Sequence, residues 1–311
     1  MCDIILTKRV IMTKLSIEKQ QISKIKVIVC DLDGTLLNHR KQITEATAQY
    51  LIQLQEAGYR LVLASGRFYY ELTGYIEQLK MKKFDGYAIC ANGLEIHRVK
   101  DDTMQSFDYL SETEIQDILS YTRNMHITAY ANIHQIYHAV CNPWLYYATK
   151  AGTFLSKPFS KSNFYPFRLL RETDFQKHQT ETNWPVLAKI CFFSSHHKLE
   201  RFKQTIQHDY PHQYNFYYIN RFAIEIVKSN VGKCYAVEQL CKSLSLDLSN
   251  VLFFGDSGND EELLASAGIG ITMKNGFYQT KRKARILSYK TNQQEGVLDM
   301  LKRLKLLYKS K

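Results

Sequence analysis

The stretch "VIVCDLDGTLLNHR", residues 27–40, sets two aspartates, Asp31 and Asp33, directly behind four apolar, mostly β-branched residues. Such a run reads as a strand buried on both faces, of the kind found inside a parallel sheet. Two like charges two positions apart at its end repel each other, so a positive partner is expected between them. Working outward, the same strand-then-polar-turn pattern recurs. "RLVLASGR" (60–67) ends in Ser65, Gly66 and Arg67, "DGYAICANGLEI" (85–96) turns at Asn92-Gly93, and "NVLFFGDSGND" (250–260) ends in Asp256, Asn259 and Asp260. Helical stretches lie between them. "TEATAQYLIQLQEAGY" (44–59) opens on Thr44 as an N-cap and stops at Gly58, and "YYELTGYIEQLKM" (69–81) follows the second strand. Strand, helix, strand, helix, strand is the rhythm of a parallel sheet with crossover helices, and ligands of such sheets bind at the carboxyl ends of the strands.

The rhythm breaks in the middle of the chain. Residues 94–227 are rich in Tyr, Phe and His. Strand-like pieces ("HITAYAN", "VLAKICFFS", "FAIEIV") alternate there with helical ones ("SETEIQDILSYTRNM", "HHKLERFKQTIQHDY"). The expected architecture is α/β: a Rossmann-like parallel-sheet core made of residues 24–93 and 228–311, an inserted α+β cap domain over 94–227, and an N-terminal extension over 1–23. The parallel rhythm resumes with "KCYAVEQLCKSL", the Asp256 strand, "DEELLASAG", "IGITM" and a last helix from about Glu295.

Composition narrows the class. The 311 residues are 45% hydrophobic and 23% charged, ordinary for a globular chain. No run approaches a membrane span, and the N-terminus lacks the features of a signal peptide. Seven cysteines stand singly, without a CxxC pair. That argues against a disulfide framework or a zinc site and for a reducing, cytoplasmic setting, with Cys30, Cys90 and Cys191 as buried apolar side chains. The net charge of +11 is dispersed, with modest clusters at "QTKRKARI" (279–286) and "LKRLKLLYKSK" (301–311). No nucleic-acid-binding signature accompanies it, so no nucleic-acid or membrane partner is expected. His126, His134 and His138 make no metal-ligand spacing. The aromatics of "NPWLYYATKAGTF" (142–154) and "SNFYPF" (162–167) read chiefly as the insert's own core.

Several carboxylates on one sheet edge call for a hard cation. Mg²⁺ fits, with Asp31 and Asp256 as candidate direct ligands. A carboxylate such as Asp31 can also attack phosphorus, Asp33 can exchange a proton with the leaving oxygen and with water, and backbone N–H groups at Gly34 and Thr35 can cradle phosphoryl oxygens.

These residues resemble the motifs of the haloacid dehalogenase-like hydrolases. "DLDGTLL" resembles their first motif, "ASGR" the second, "VGKCYAVEQL" the third and "FFGDSGNDEELL" the fourth. The order, with an insertion between the second and third, is similar to the Cof-type subfamily with a C2-type (IIB) cap, as are "ANGLEI", "TMKNG" with Asn275 and "TNQQEGV". The resemblance covers residues 25–308 and implies a Mg²⁺-dependent phosphatase working on a small phosphorylated metabolite through an aspartyl-phosphate. It implies Asp31 as nucleophile and metal ligand, and Asp33 as general acid/base with its carbonyl on the metal. It implies Ser65 on the phosphoryl group, Lys233 as charge balance, Asp256 on the metal and Asp260 supporting it. Gly34, Thr35, Gly66, Arg67, Asn92 and Asn259 are the candidate substrate contacts. Two departures, bulky Phe68 to Tyr70 after the second motif and Lys274 in "TMKNG", touch no catalytic group. A sugar phosphomutase shares the aspartyl-phosphate step and remains an alternative, as does, more remotely, a basic nucleic-acid binder on an enzyme scaffold. A monomer or weak homodimer is expected.

Overall fold

The computed structural model describes residues 19–125, 127–133, 136–141, 167–171 and 190–308. In chain order the elements are α1 (Lys19–Lys24), β1 (Val27–Asp31), α2 (Glu45–Glu56), β2 (Arg60–Ala64), α3 (Tyr69–Gln78), β3 (Tyr87–Cys90), β4 (Glu95–Arg98) and β5 (Thr103–Ser106). Then come α4 (Glu112–Met125), β6 (Thr128–Ile133), β7 (Ile136–Cys141), β8 (Phe167–Arg171), β9 (Ile190–Phe193), α5 (His196–Asp209), β10 (Tyr214–Asn220) and β11 (Ala223–Lys228). The chain closes with α6 (Lys233–Ser243), β12 (Val251–Gly255), α7 (Glu261–Ser266), β13 (Ile269–Thr272), α8 (Tyr278–Lys283), β14 (Ile286–Leu287) and α9 (Gly296–Leu304).

The elements sort into two units. The first joins residues up to Phe107 to those from Val231 onward, and the second spans Asp108–Asn230. In the first, eight strands order as β14-β13-β12-β1-β2-β3-β4-β5. All pairings from β14 to β3 are parallel, and β4 and β5 close the edge antiparallel. β1 lies between β12 and β2, with Val27 opposite both Val251 and Arg60. All five of its residues are buried. Side chains alternate faces along a strand. Ile28 and Cys30 therefore join α2, α3 and α9 in one apolar cluster, while Val27 and Val29 meet α6 and α7 in another. Helices covering both faces explain why β1 is continuously apolar. Thr44 caps α2, its side chain accepting from the Thr47 N–H. Gly58, at φ +91°, ends the turn after it.

The second unit has a six-stranded sheet ordered β10-β11-β9-β6-β7-β8, antiparallel except for β7–β8. One face packs Ile190, Phe192, Ile224 and Ile226 against Ile118 of α4 and Phe202 of α5. On another pleat, buried Cys191 donates to Glu225 across the β9–β11 pair.

The unit boundaries fall at Phe107/Asp108 and Asn230/Val231, against the 93/94 and 227/228 read from the sequence. The reason is the β4–β5 hairpin, which extends the core sheet by pairing β4 with β3 instead of opening the insert. The extension expected over 1–23 also ends differently. α1 runs from Lys19 to Lys24, Ile22 packs on the core, and the Gln21 side chain donates to the Gly268 carbonyl. Residues 1–18, His126, His134, the side chain of His138 and the aromatic stretches 142–154 and 162–166 lie outside the described residues. Cys30, Cys90, Cys191, Cys234 and Cys241 are buried thiols outside any disulfide. Among the described residues, no helix is long and apolar enough to cross a membrane.

Candidate active site

Parallel strands bring their carboxyl ends to one edge, so β1, β2, β3 and β12 deliver Asp31, Ser65, Asn92 and Asp256 together. Asp31 is buried at the end of β1. Its Oδ1 accepts from Lys233 Nζ at 2.7 Å, and the same ammonium donates to Asp260 Oδ1 at 2.7 Å. Lys233 is the first residue of α6 and its side chain is fully buried. Burial works against its charge, but the carboxylates of Asp260 and Asp31 outweigh that and hold its pKa above the ordinary lysine value. The positive partner expected between Asp31 and Asp33 thus sits instead between Asp31 and Asp260.

Asp260 has both oxygens engaged. Oδ1 meets Lys233, and Oδ2 accepts the N–H groups of Asp256 and Ser257 at 2.9 and 3.0 Å. Asp256 Oδ1 accepts the Thr35 hydroxyl at 3.2 Å. Asp31 Oδ2 is buried with no hydrogen-bond partner. One oxygen each from Asp31, Asp256 and Asp260 falls within 4.8 Å of the others. Burial raises the pKa of Asp31, which Lys233 only partly offsets, and neighbouring Asp260 adds to the rise. Asp256 is raised likewise, by burial first and then by the charges of Asp31 and Asp260. An orphaned carboxylate oxygen in a buried all-oxygen cluster fits a hard divalent cation.

Gly34 is required here. Its φ is +87°, and a methyl group on it would collide with the Asp256 carboxylate. Gly34→Ala is expected to destabilise the protein by about 2 kcal/mol through left-handed strain and that collision. It is also expected to shrink the rise in melting temperature caused by Mg²⁺. Urea unfolding and thermal melts with and without Mg²⁺ read both effects, and a parental metal-induced shift counts against the cluster as the metal site.

Asp33 lies apart from the Asp31–Lys233–Asp260 chain. Arg67 grips it with Nε to Oδ2 at 2.7 Å and Nη2 to Oδ1 at 2.8 Å, and Lys41 Nζ reaches Oδ1 at 2.5 Å. Partial burial works to raise its pKa. The hydrogen bonds and charges of Arg67 and Lys41 outweigh this and keep the carboxyl below its usual range.

The remaining candidates knit the strand ends together. Ser65 Oγ accepts the Arg67 N–H at 3.2 Å, the Ser65 carbonyl accepts the Asn92 N–H, and the Arg67 carbonyl accepts the Ala91 N–H. Asn92 adopts φ 58°, a left-handed conformation that Asn tolerates. Its Oδ1 accepts from Asn259 Nδ2 at 2.8 Å, joining the β3 and β12 ends. A Cβ on Gly66 would come within 3.0 Å of that Oδ1, so the second motif packs closely on Asn92. The Thr35 amide donates to the Leu32 carbonyl at 3.3 Å and its hydroxyl to Asp256, so Thr35 shapes the loop and orients a carboxylate.

Four residues were not assigned to the site from the sequence. Asn275 Nδ2 donates to the Gly34 carbonyl at 2.7 Å, and Asn292 donates to both Asn275 Oδ1 and the Leu37 carbonyl, so the two late loops brace the Asp31–Leu37 turn. In the sequence "TMKNG" and "TNQQEGV" stood only as matches to the Cof-type pattern, without a role. Lys41 and Tyr75, which hold the Asp33 side of the site, carried no signal at all.

A family model described as haloacid dehalogenase-like hydrolase matches residues 28–301. The HMP-PP phosphatase of Yersinia pseudotuberculosis is 27% identical over 261 residues, spanning 81% of this chain and 85% of its own. A haloacid dehalogenase-like hydrolase from Bacteroides thetaiotaomicron superposes with a TM-score of 0.71 at 26% identity, covering 90% of this chain and 99% of its own. Another from B. subtilis gives 0.74 at 24% identity, covering 90% and 100%.

Proposed function

The chain belongs to the haloacid dehalogenase-like hydrolases, and from that membership we propose that it is a Mg²⁺-dependent phosphatase releasing phosphate from a small phosphorylated metabolite. The observation that carries the reading is Asp31. One of its oxygens is fixed by Lys233, and the other is buried and unpartnered. That carboxylate attacks phosphorus, the P–O bond to the leaving group breaks, and Asp33 gives the leaving oxygen its proton. Asp33, again a carboxylate, then takes a proton from water. The water oxygen displaces the Asp31 carboxylate from phosphorus, freeing inorganic phosphate.

Ser65 Oγ accepts from Arg67 and retains its own O–H to donate to a phosphoryl oxygen. Lys233 balances the charge building on Asp31 and on that group. An anionic phosphoryl group arriving beside Arg67 and Lys41 offsets their positive charge, so Asp33 takes up a proton from solvent while both side chains keep it oriented. The Asp31 and Asp256 carboxylates and the Asp33 carbonyl would hold the cation, with Asp260 fixing the Asp256 turn. When bound, Mg²⁺ neutralises charge on the phosphoryl oxygens. The relative named HMP-PP phosphatase supports a small phosphorylated metabolite such as HMP-PP as the substrate class.

The test is phosphate release from a panel of sugar phosphates, cofactor-type phosphates and HMP-PP, with Mg²⁺ and with chelator. At least one member is expected to turn over, and chelation is expected to lower its rate about 100-fold or more. Failure of every member with Mg²⁺, or equal rates in chelator, overturns the reading. An isomeric ester appearing in place of phosphate would identify a mutase.

A further inference from the structure

The loop between β1 and α2 carries a cation that no motif points to. We infer that Lys41 is a positioning residue of the reaction proposed above, holding the Asp33 carboxylate, jointly with Arg67, in the one orientation from which it serves the leaving-group oxygen. The inference rests on the phosphatase reading and adds to it a residue outside the four motifs.

The geometry is a clamp from two sides. Arg67 takes both Asp33 oxygens through its planar fork, and Lys41 Nζ takes Oδ1 at 2.5 Å. The Asp33 side chain is 40% exposed on a loop, and among the described hydrogen bonds and ion pairs only Arg67 and Lys41 hold it in place. The backbone that aims Lys41 is built with care. Lys41 sits at φ 57°, left-handed and unfavourable for a residue with a Cβ. Its N–H donates to the Asn38 carbonyl at 3.0 Å, and the Asn38 side chain accepts the N–H groups of Arg40 and Gln42. The Lys41 carbonyl accepts the Tyr75 hydroxyl at 2.8 Å. The Tyr75 ring also lies 5.8 Å from the Arg67 guanidinium carbon, so one tyrosine on α3 supports both arms of the clamp.

Stability does not account for this arrangement. The Lys41 side chain is 61% exposed, and an ion pair so exposed adds little to folding. Lys41 makes no contact with Asp31, Asp256 or Asp260 among the described hydrogen bonds and ion pairs, so its effect runs through Asp33 alone.

The test uses the leaving group. p-Nitrophenolate departs without a proton, whereas an alkoxide needs one. The probes are p-nitrophenyl phosphate and glucose 6-phosphate, or, where that is slow, the alkyl phosphate the unaltered protein hydrolyses fastest. Lys41→Met is expected to lower kcat/KM, which reports the steps through departure of the leaving group, roughly 10-fold on the alkyl ester and less than about 3-fold on p-nitrophenyl phosphate. Lys41→Arg should recover most of the alkyl rate, because it restores a cation at the same place. Tyr75→Phe should show a smaller loss in the same sense. Equal losses on both esters, or undiminished alkyl turnover, overturn the role of Lys41 while leaving the phosphatase reading intact. No phosphate release by the unaltered protein overturns both.

Discussion

Asp31→Asn is expected to lower phosphate release by at least about 10⁴-fold, the scale on which a covalent nucleophile is lost. The exchange is nearly isosteric, so the amide oxygen still accepts from Lys233 and the β1 end keeps its shape. What disappears is the attacking oxygen and one of the buried negative charges. In the parent, Asp31, Asp256 and Asp260 crowd around a single ammonium, and burial already raises the pKa values of Asp31 and Asp256. The metal-free variant is therefore expected to melt at a higher temperature than the metal-free parent, with a smaller rise on adding Mg²⁺. A variant that turns over substrate at the parental rate sinks the assignment of Asp31. A metal-induced shift of parental size separates the nucleophile from the metal site.

Lys233→Met carries the second large effect, on stability. It leaves the carboxylates of Asp31 and Asp260 buried without a compensating charge, which is expected to cost about 3–5 kcal/mol in urea unfolding under chelation. Mg²⁺ is expected to recover part of this, because a cation relieves the same repulsion. Lys242→Met is the internal control. Its pairing with Glu238 on α6 is 59% and 43% exposed on the two sides, so removing it is expected to change stability by less than about 0.5 kcal/mol. Equal stabilities for the two variants would mean that Lys233 does not compensate the buried carboxylates.

The sequence was most legible where burial on both faces left no freedom. β1, β2, β3 and β12 are apolar apart from Asp31 and Arg60 and end in polar turns, so their parallel direction, and hence the shared edge, follow from pattern alone. Thr44 as a helix cap was readable for the same local reason. The β4–β5 hairpin was not: every residue of "TMQS" is exposed, and "EIHR" offers one buried side chain, so neither strand shows a hydrophobic face. β14, with two residues, is below any periodic signal. In the site, residue types announced themselves and pairings did not. Asp33 was readable as a carboxylate for proton transfer, but its grip by Arg67 depends on the β1 and β2 turns facing each other, 34 residues apart in sequence. Lys41 is one lysine among many until a left-handed backbone aims it.

The placement of β1 bears on how the chain is made. Its partner β2 follows within one helix, but β12, its other neighbour, lies beyond the whole insert, and Lys233 is 202 residues after Asp31. At about 5–20 residues per second, a ribosome needs roughly 10–40 s to cover that span. Throughout that interval "VIVC" is an unpaired sheet edge with apolar side chains on both faces, the kind of strand that recruits other chains. The insert, continuous from Asp108 to Asn230, holds its own apolar cluster and has no need to wait. Burying the Asp31 strand at the centre of a split domain thus fixes Asp31 firmly in the finished molecule and leaves it unprotected for much of the nascent chain's synthesis.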